Sequence, residues 1–257
     1  MPDDGSPSAV PIFTGKNIRI VDGCASILEN WSFTAARRVL DRLFPSGFEG
    51  LTLVDLGCLE GGMTLEFARL GFDALGIEVR ESNYACCRYL LDHAGEMRGR
   101  LRFERDDAWN LEKYGRFDVV FCGGLLYHLD EPRRYLDILA AATRKVLILN
   151  THFATESCSA AFPGLSEPTL NEGLRGRWYG EHNEQIGSRH LDSGLRWASW
   201  KNHRSFWPMR PDLLQALYDV GFPVLLEQYD FLEPKIREEM TNGLYGGKNR
   251  GIFLALR

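Results

Sequence analysis

The chain has 257 residues, of which 44% are hydrophobic and 25% charged, and its formal net charge is −5. That size and apolar content suffice for one domain with a full core and a sizeable insertion, and no apolar run is long enough to predict a membrane span. The mild negative charge argues against an obligate polynucleotide partner, whose phosphates call for a basic face.

The opening stretch, MPDDGSPSAVPIFTG, has neither a basic start nor an apolar centre, so it reads as a loose tail rather than a signal peptide. Residues 26–44 (SILENWSFTAARRVLDRLF) carry apolar spacing on one face and predict a helix ahead of the first strand. Five short runs follow: LTLVDL (51–56), DALGIEV (73–79), RLRFER (100–105), FDVVFC (117–122) and KVLILN (145–150). They are rich in Val, Ile, Leu and Phe, as strands covered on both faces are. Helical patterns lie between them at 62–70, 82–95 and 131–143, and such alternation predicts a doubly wound α/β fold with a mostly parallel sheet.

The alternation stops at residues 155–207, which hold several glycines and prolines and show no clear strand. Helical periodicity returns at PDLLQALYDVG (211–221), with Pro211 suited to the first turn and Gly221 to the C-terminus. PVLLEQYDF (223–231) and GIFLALR (251–257) bring the strand total to seven and predict an antiparallel hairpin at the sheet edge. The expected division is a tail and helical segment (1–50), a main domain (51–154 with 208–257) and an insertion (155–207) between the fifth strand and the next helix. Six cysteines, at 24, 58, 86, 87, 122 and 158, form no CxxC pair, and the expected setting is a reducing cytoplasm.

The chemistry concentrates in VDLGCLEGGMTLEFARLG (54–71). A buried strand ends at Asp55, and Gly57, Gly61 and Gly62 open a tight turn into a helix whose first N–H groups are free for a ligand. Glu78 closes the next strand, where a carboxylate suits a ribose diol. A nicotinamide site would want G-x-G-x-x-G for its diphosphate, whereas this loop reads G-C-L-E-G-G. Its acid, Glu60, stands where phosphate would approach and is expected to favour a cationic ligand instead.

These residues resemble the seven-stranded class I S-adenosylmethionine-dependent methyltransferases, whose glycine motif runs D/E-x-G-x-G-x-G. Asp55, Gly57 and Gly61 match it, with Cys58 in the same turn and Leu59 where the middle glycine usually stands. The resemblance implies S-adenosylmethionine as cofactor. It implies Glu78 at the ribose hydroxyls, Asp107 and Ala108 at the adenine with Asp106 as competitor, and Trp109 stacking nearby. FDVVFCGGLLYHLDEP (117–132) matches the fourth-strand motif, so Cys122 and Gly123 are implied at the methionine end.

His128 and His152 follow the fourth and fifth strands, the side on which open α/β sheets bind ligands, and either is a candidate general base for a hydroxyl or amine acceptor. Each is equally readable as a structural histidine, and His182 and His203 are weaker candidates. No metal is expected, since CGG and NTH after those strands offer no set of hard oxygen ligands. The insertion holds Trp178, Trp197, Trp200 and Trp207 with six basic and six acidic residues, and reads as an aromatic substrate lid, a small aromatic core, or both. Methyl transfer to a small-molecule acceptor, such as an oxygen of a metabolite or sugar, is the leading expectation. Residues 202–222 also resemble enzymes that carboxymethylate wobble uridine in tRNA, and a catalytically silent cofactor-binding scaffold is the third reading.

Overall fold

The computed structural model describes residues 27–93, 95, 100–157, 162–181, 196–229, 236–237 and 249–257. Its frame is a seven-stranded sheet of β1 (Thr52–Leu56), β2 (Asp73–Ile77), β3 (Leu101–Glu104), β4 (Phe117–Gly123), β5 (Thr143–His152), β9 (Val224–Gln228) and β10 (Arg250–Leu256). The spatial order is β3-β2-β1-β4-β5-β10-β9, with β1 to β5 parallel and β10 antiparallel to both its neighbours. Each predicted strand is present, and so is the antiparallel edge pair.

Period-two alternation along the strands feeds two separate cores. Val120 and Cys122 of β4, with Leu147 and Leu149 of β5, pack under Leu136 and Leu139 of α4 (Pro132–Ala142) and Leu213 and Leu217 of α5 (Arg210–Asp219). Val119 and Phe121, with Val146 and Ile148, face the other way. They meet Phe33 and Leu40 of α1 (Trp31–Leu43), Leu65 and Phe67 of α2 (Gly62–Leu70), and Leu90 of α3 (Glu81–Asp92). Each such side chain contributes about 1.5–3 kcal/mol when fully buried, so the two layers fix the sheet and everything mounted on its carboxyl edge. The helix before β1 starts where Asn30 caps it, its side-chain oxygen accepting the N–H groups of Ser32 and Phe33. Among the described residues no helix is long and apolar enough to cross a membrane.

The insertion departs from its sequence reading. It contains a three-stranded antiparallel sheet, β6 (Thr169–Asn171), β7 (Leu174–Gly180) and β8 (Arg204–Pro208), in the order β6-β7-β8. Glu172 (φ 51°) and Gly173 (φ 80°) both take positive φ in the two-residue link between β6 and β7, the backbone that a primed hairpin turn requires. Glutamate is an unusual first residue for such a turn, and arginines interrupt the apolar pattern of β7, so the hairpin left little trace in the sequence. The opening tail, Cys24, Cys158 and His182 lie outside the described residues.

Candidate active site

The carboxyl ends of β1, β2 and β4 surround a cavity of about 570 Å³, a volume suited to a nucleoside-sized ligand with an acceptor. Gly57, Leu59, Glu78, Asp106, Asp107, Ala108, Trp109 and His128 all line it, and so does the 196–202 segment. Residues as far apart in sequence as Gly57 and Asn202 therefore meet at one wall because the sheet brings its strand ends together.

The turn after β1 is anchored from below. The N–H groups of Gly57 and Cys58 donate to the Ile77 carbonyl at 2.9 and 3.1 Å, and Gly57 (φ 65°) and Gly61 (φ 82°) both sit in the left-handed region. Leu59, between them, takes φ 54° as well. The loop thus keeps the backbone of the middle glycine without the glycine, at a cost of about 1–2 kcal/mol for a side chain in that region. Asp55, Cys58, Gly61, Cys122 and Gly123 do not line the cavity. Asp55 lies beneath the turn and accepts from the Thr64 hydroxyl of α2 at 2.8 Å, while Gly61 allows close packing, since a Cβ there would meet the Phe103 ring at 2.7 Å.

Glu78 is 3% exposed, and its two carboxylate oxygens accept the N–H groups of Leu59 and Arg80 at 2.9 and 2.8 Å. The Asn83 amide adds a third donor. A carboxylate offers about four acceptor positions, so one remains for a ribose hydroxyl on the cavity side. Burial pushes Glu78 up to about 7 against those hydrogen bonds, and it pushes Asp55 up to about 7 against the Thr64 bond, with the Glu78 charge adding to the rise.

The two acids after β3 divide their tasks. Asp106 is committed within its own loop, accepting from its neighbour's N–H, the Asn110 amide, Lys113 and the Tyr114 hydroxyl. Those donors outweigh partial burial and hold it at about 2. Asp107 caps the short helix Ala108–Tyr114 through the Trp109 N–H, and its other oxygen pairs with Lys201 at 2.9 Å. Trp109 packs edge-on against Tyr135, with the Arg134 guanidinium 5.3 Å above its ring.

Several residues that the sequence did not single out hold the 196–202 segment against the cavity. Arg80, 5% exposed, donates to the carbonyls of Ala198 and Ser199 at 2.6 and 2.9 Å and lies over the Trp200 ring. Glu60 is buried and pairs with buried Arg196 at 3.5 Å; it is not on the cavity wall. The expectation that Glu60 faces the ligand is therefore corrected: a charge this deep keeps company with an opposite charge rather than an open site. The insertion's aromatics serve two ends. Trp197 and Trp200 line the cavity, whereas Phe206 and Trp207 are buried, Trp207 stacked on Tyr179 with ring centroids 4.9 Å apart.

The two histidine candidates occupy different surroundings. His128 lines the cavity, and its Nδ1 lies 3.0 Å from Oε1 of Glu181, whose side chain is 3% exposed. A carboxylate only accepts, so Nδ1 donates and the basic lone pair falls on Nε2. His152 does not line this cavity; it stacks on Trp207 at 4.7 Å, and Nδ1 meets the Asn249 carbonyl at 3.1 Å. His203 does not line the cavity; it is exposed, and its carbonyl accepts the Glu181 N–H at 2.9 Å.

With this geometry in place, the chain's similarities acquire meaning. Residues 28–227 match a family described as a methyltransferase domain. The chain belongs to that family of S-adenosylmethionine-dependent methyltransferases. The N-terminal domain of EvdMO1, crystallised in the presence of S-adenosylhomocysteine and D-fucose, superimposes with a TM-score of 0.63 at 22% identity, covering 94% of this chain and 90% of that one. Magnesium protoporphyrin IX methyltransferase from Synechocystis PCC 6803, with bound S-adenosylhomocysteine, gives a TM-score of 0.52 at 16% identity over 92% and 90% of the two chains. These likenesses are of fold. A ubiquinone biosynthesis O-methyltransferase of Caulobacter vibrioides is 35% identical over 91 residues, which is 35% of each chain. The aligned stretch thus spans about a third of that relative's length. The cavity suits the family's cofactor: a buried carboxylate with acceptor capacity for a ribose hydroxyl, an aromatic ring beside a helix-capping acid, and a turn without a diphosphate's spacing.

Proposed function

We propose that this methyltransferase acts on a hydroxyl oxygen of a small-molecule acceptor, with His128 as the general base. The observation that carries the reading is the His128–Glu181 pair on the same cavity wall as Glu78 and Asp107. In the proposed arrangement Glu78 holds the ribose hydroxyls, Asp107 and the Ala108 backbone meet the adenine, and Trp109 lies against it. The turn residues Gly57, Cys58, Leu59 and Gly61 and the β4 end, Cys122 and Gly123, shape the path of the rest, with Asp55 fixing the turn from beneath. S-adenosylmethionine supplies a methyl group already activated by its sulfonium.

The protein's own part is alignment, dryness and proton removal. The 196–202 segment, strapped down by Arg80, excludes water as a lid. His128 Nε2 takes the acceptor's proton, and Glu181 fixes the tautomer that makes Nε2 basic and stabilises the cation that results. His152, wedged among Tyr127, Phe162 and Trp207, serves as part of the wall behind it. The name of the Caulobacter relative, an O-methyltransferase, supports an oxygen acceptor, and the nucleobase-free name of the Synechocystis neighbour's substrate agrees with a small molecule.

Calorimetry with S-adenosylhomocysteine tests the foundation. The wild type should bind it, and Glu78→Ala should weaken binding about 100-fold by removing a charge-assisted hydrogen bond and the carboxylate that anchors the Leu59 turn. Absence of binding to the wild type sinks the proposal.

A further inference from the structure

At the far side of Gly124 the molecule carries a second polar feature that the reading above leaves unused. Gly124 lines the cavity, and a Cβ built on it would meet the Tyr127 hydroxyl at 3.4 Å and Arg250 Nη2 at 3.7 Å. A phenol and a guanidinium therefore border the one point in the β4 loop that has no side chain. Arg250 opens β10 opposite His152 in the register, so it stands at the same sheet edge as His128 despite lying at the end of the chain.

Its position is built. Arg250 Nε donates to Asn150 Oδ1 at 2.9 Å, and Asn150 Nδ2 donates in turn to the Ser32 hydroxyl at 2.9 Å, with Asn150 1% exposed. The guanidinium plane lies between the rings of Trp31 and Tyr127, 5.2 and 5.5 Å from their centroids. Two aromatic faces, the Asn150 amide and a hydrogen bond to the Tyr127 hydroxyl thus set the orientation of the fork, and of its five N–H donors others remain for a ligand among the described residues. Among the described residues no carboxylate pairs with Arg250, in contrast to Arg196 and Arg210, which pair with Glu60 and Glu227. Burial keeps the Tyr127 phenol protonated and so able to donate. A preoriented, carboxylate-free arginine beside a phenol donor is suited to a planar anion held by two parallel hydrogen bonds.

We infer that Arg250 and Tyr127 form an acceptor subsite for a carboxylate, so that the substrates of this enzyme are small hydroxy acids. The inference rests on the acceptor reading above and names its substrate class. The carboxylate docks on the Arg250 Nη edge and the Tyr127 hydroxyl, which places the rest of the acceptor across Gly124 toward His128.

The test uses the full chain saturated with S-adenosylhomocysteine and three matched pairs of probes: para-hydroxybenzoate and its amide, lactate and lactamide, glucuronate and glucuronamide. In calorimetric titrations at least one acid should bind about tenfold or more tightly than its amide, the preference worth one charge-assisted contact. Arg250→Met should erase that preference, and Arg250→Lys, which keeps the charge but loses the fork, should retain part of it. S-adenosylhomocysteine affinity should be unaltered in both variants. Equal binding of acid and amide across all three pairs, or binding of neither, overturns the subsite. A marked loss of S-adenosylhomocysteine affinity in Arg250→Met overturns it too, by assigning the arginine to the cofactor. Failure of the wild type to bind S-adenosylhomocysteine at all would instead remove the cofactor reading and this inference with it.

Discussion

The two ends of the cavity are assembled by different means. The end assigned to the adenosyl group comes from three short stretches, 55–61, 78–80 and 106–109, each a strand end with the few residues after it. The end assigned to the acceptor has Gly124 and His128 on the cavity wall, with Trp31, Tyr127, Asn150, Glu181 and Arg250 behind them, drawn from the first helix, two strand ends, the insertion and the last strand. Backbone geometry dominates the first, and side chains meeting over long sequence separations dominate the second. A site made of backbone tolerates side-chain change, as Leu59 shows by taking up a glycine's conformation. A site made of distant side chains is where one chain of this fold differs from another.

That contrast predicts separable effects. The largest belongs at the acceptor end: His128→Ala should lower kcat between about 100- and 10,000-fold, the span of general-base catalysis, with S-adenosylhomocysteine affinity near the wild-type value. Glu181→Gln should lower kcat less and leave KM alone, as expected of a group that positions the base and does not touch the acceptor. If both variants instead weakened the cofactor analogue, the division between the ends would be wrong.

A smaller effect belongs at the adenosyl end. Asp107→Ala removes a helix cap worth about 1 kcal/mol and releases Lys201 from the cavity mouth, so it should lower Tm slightly and weaken S-adenosylhomocysteine about tenfold. Asp106→Ala, which dismantles the Asn110, Lys113 and Tyr114 contacts, should cost stability with a lesser loss of affinity.

The pH dependence tests the same end more gently. Asp55 and Glu78 ionise near 7 in the folded chain and near 4 in an unfolded one, so the folded state holds extra protons between those values. Unfolding free energy of the ligand-free protein should therefore fall as pH rises from about 5 toward 7 and level off above it. Hydroxyls donated to Glu78 favour its ionised form, so S-adenosylhomocysteine affinity should rise over the same window with release of protons. Thermal scans and calorimetry in buffers of different ionisation enthalpy measure both. The smallest change is Leu59→Gly: relief of a positive φ is offset by greater freedom of the unfolded chain, leaving Tm within about 1 kcal/mol equivalent of the wild type.

Much of the fold was legible because strand and helix periodicities are local, and runs covered on both faces, such as β1, β4 and β10, leave few arrangements. The order Asp55, Gly57, Gly61, Glu78 and Asp107 was legible for the same reason, since each residue ends a strand or follows one. The hairpin of β6 and β7 was not: its turn uses glutamate at positive φ, and its register is held by packing against β8. Glu60 misled because its spacing gave its place in the loop without its direction, which Arg196 decides from 136 positions away.

What the sequence by itself determined is the scaffold and the adenosyl end, where chain-neighbouring atoms do the work and a motif carries its own geometry. Only the tertiary structure decided that His128 has a carboxylate partner, that Arg80 ties down the insertion, and that Arg250 stands beside Tyr127 at the far side of Gly124. Those pairings join residues dozens to hundreds of positions apart. Their distances follow from how the two sheets and the helices upon them pack, a property of the tertiary structure that no local pattern encodes.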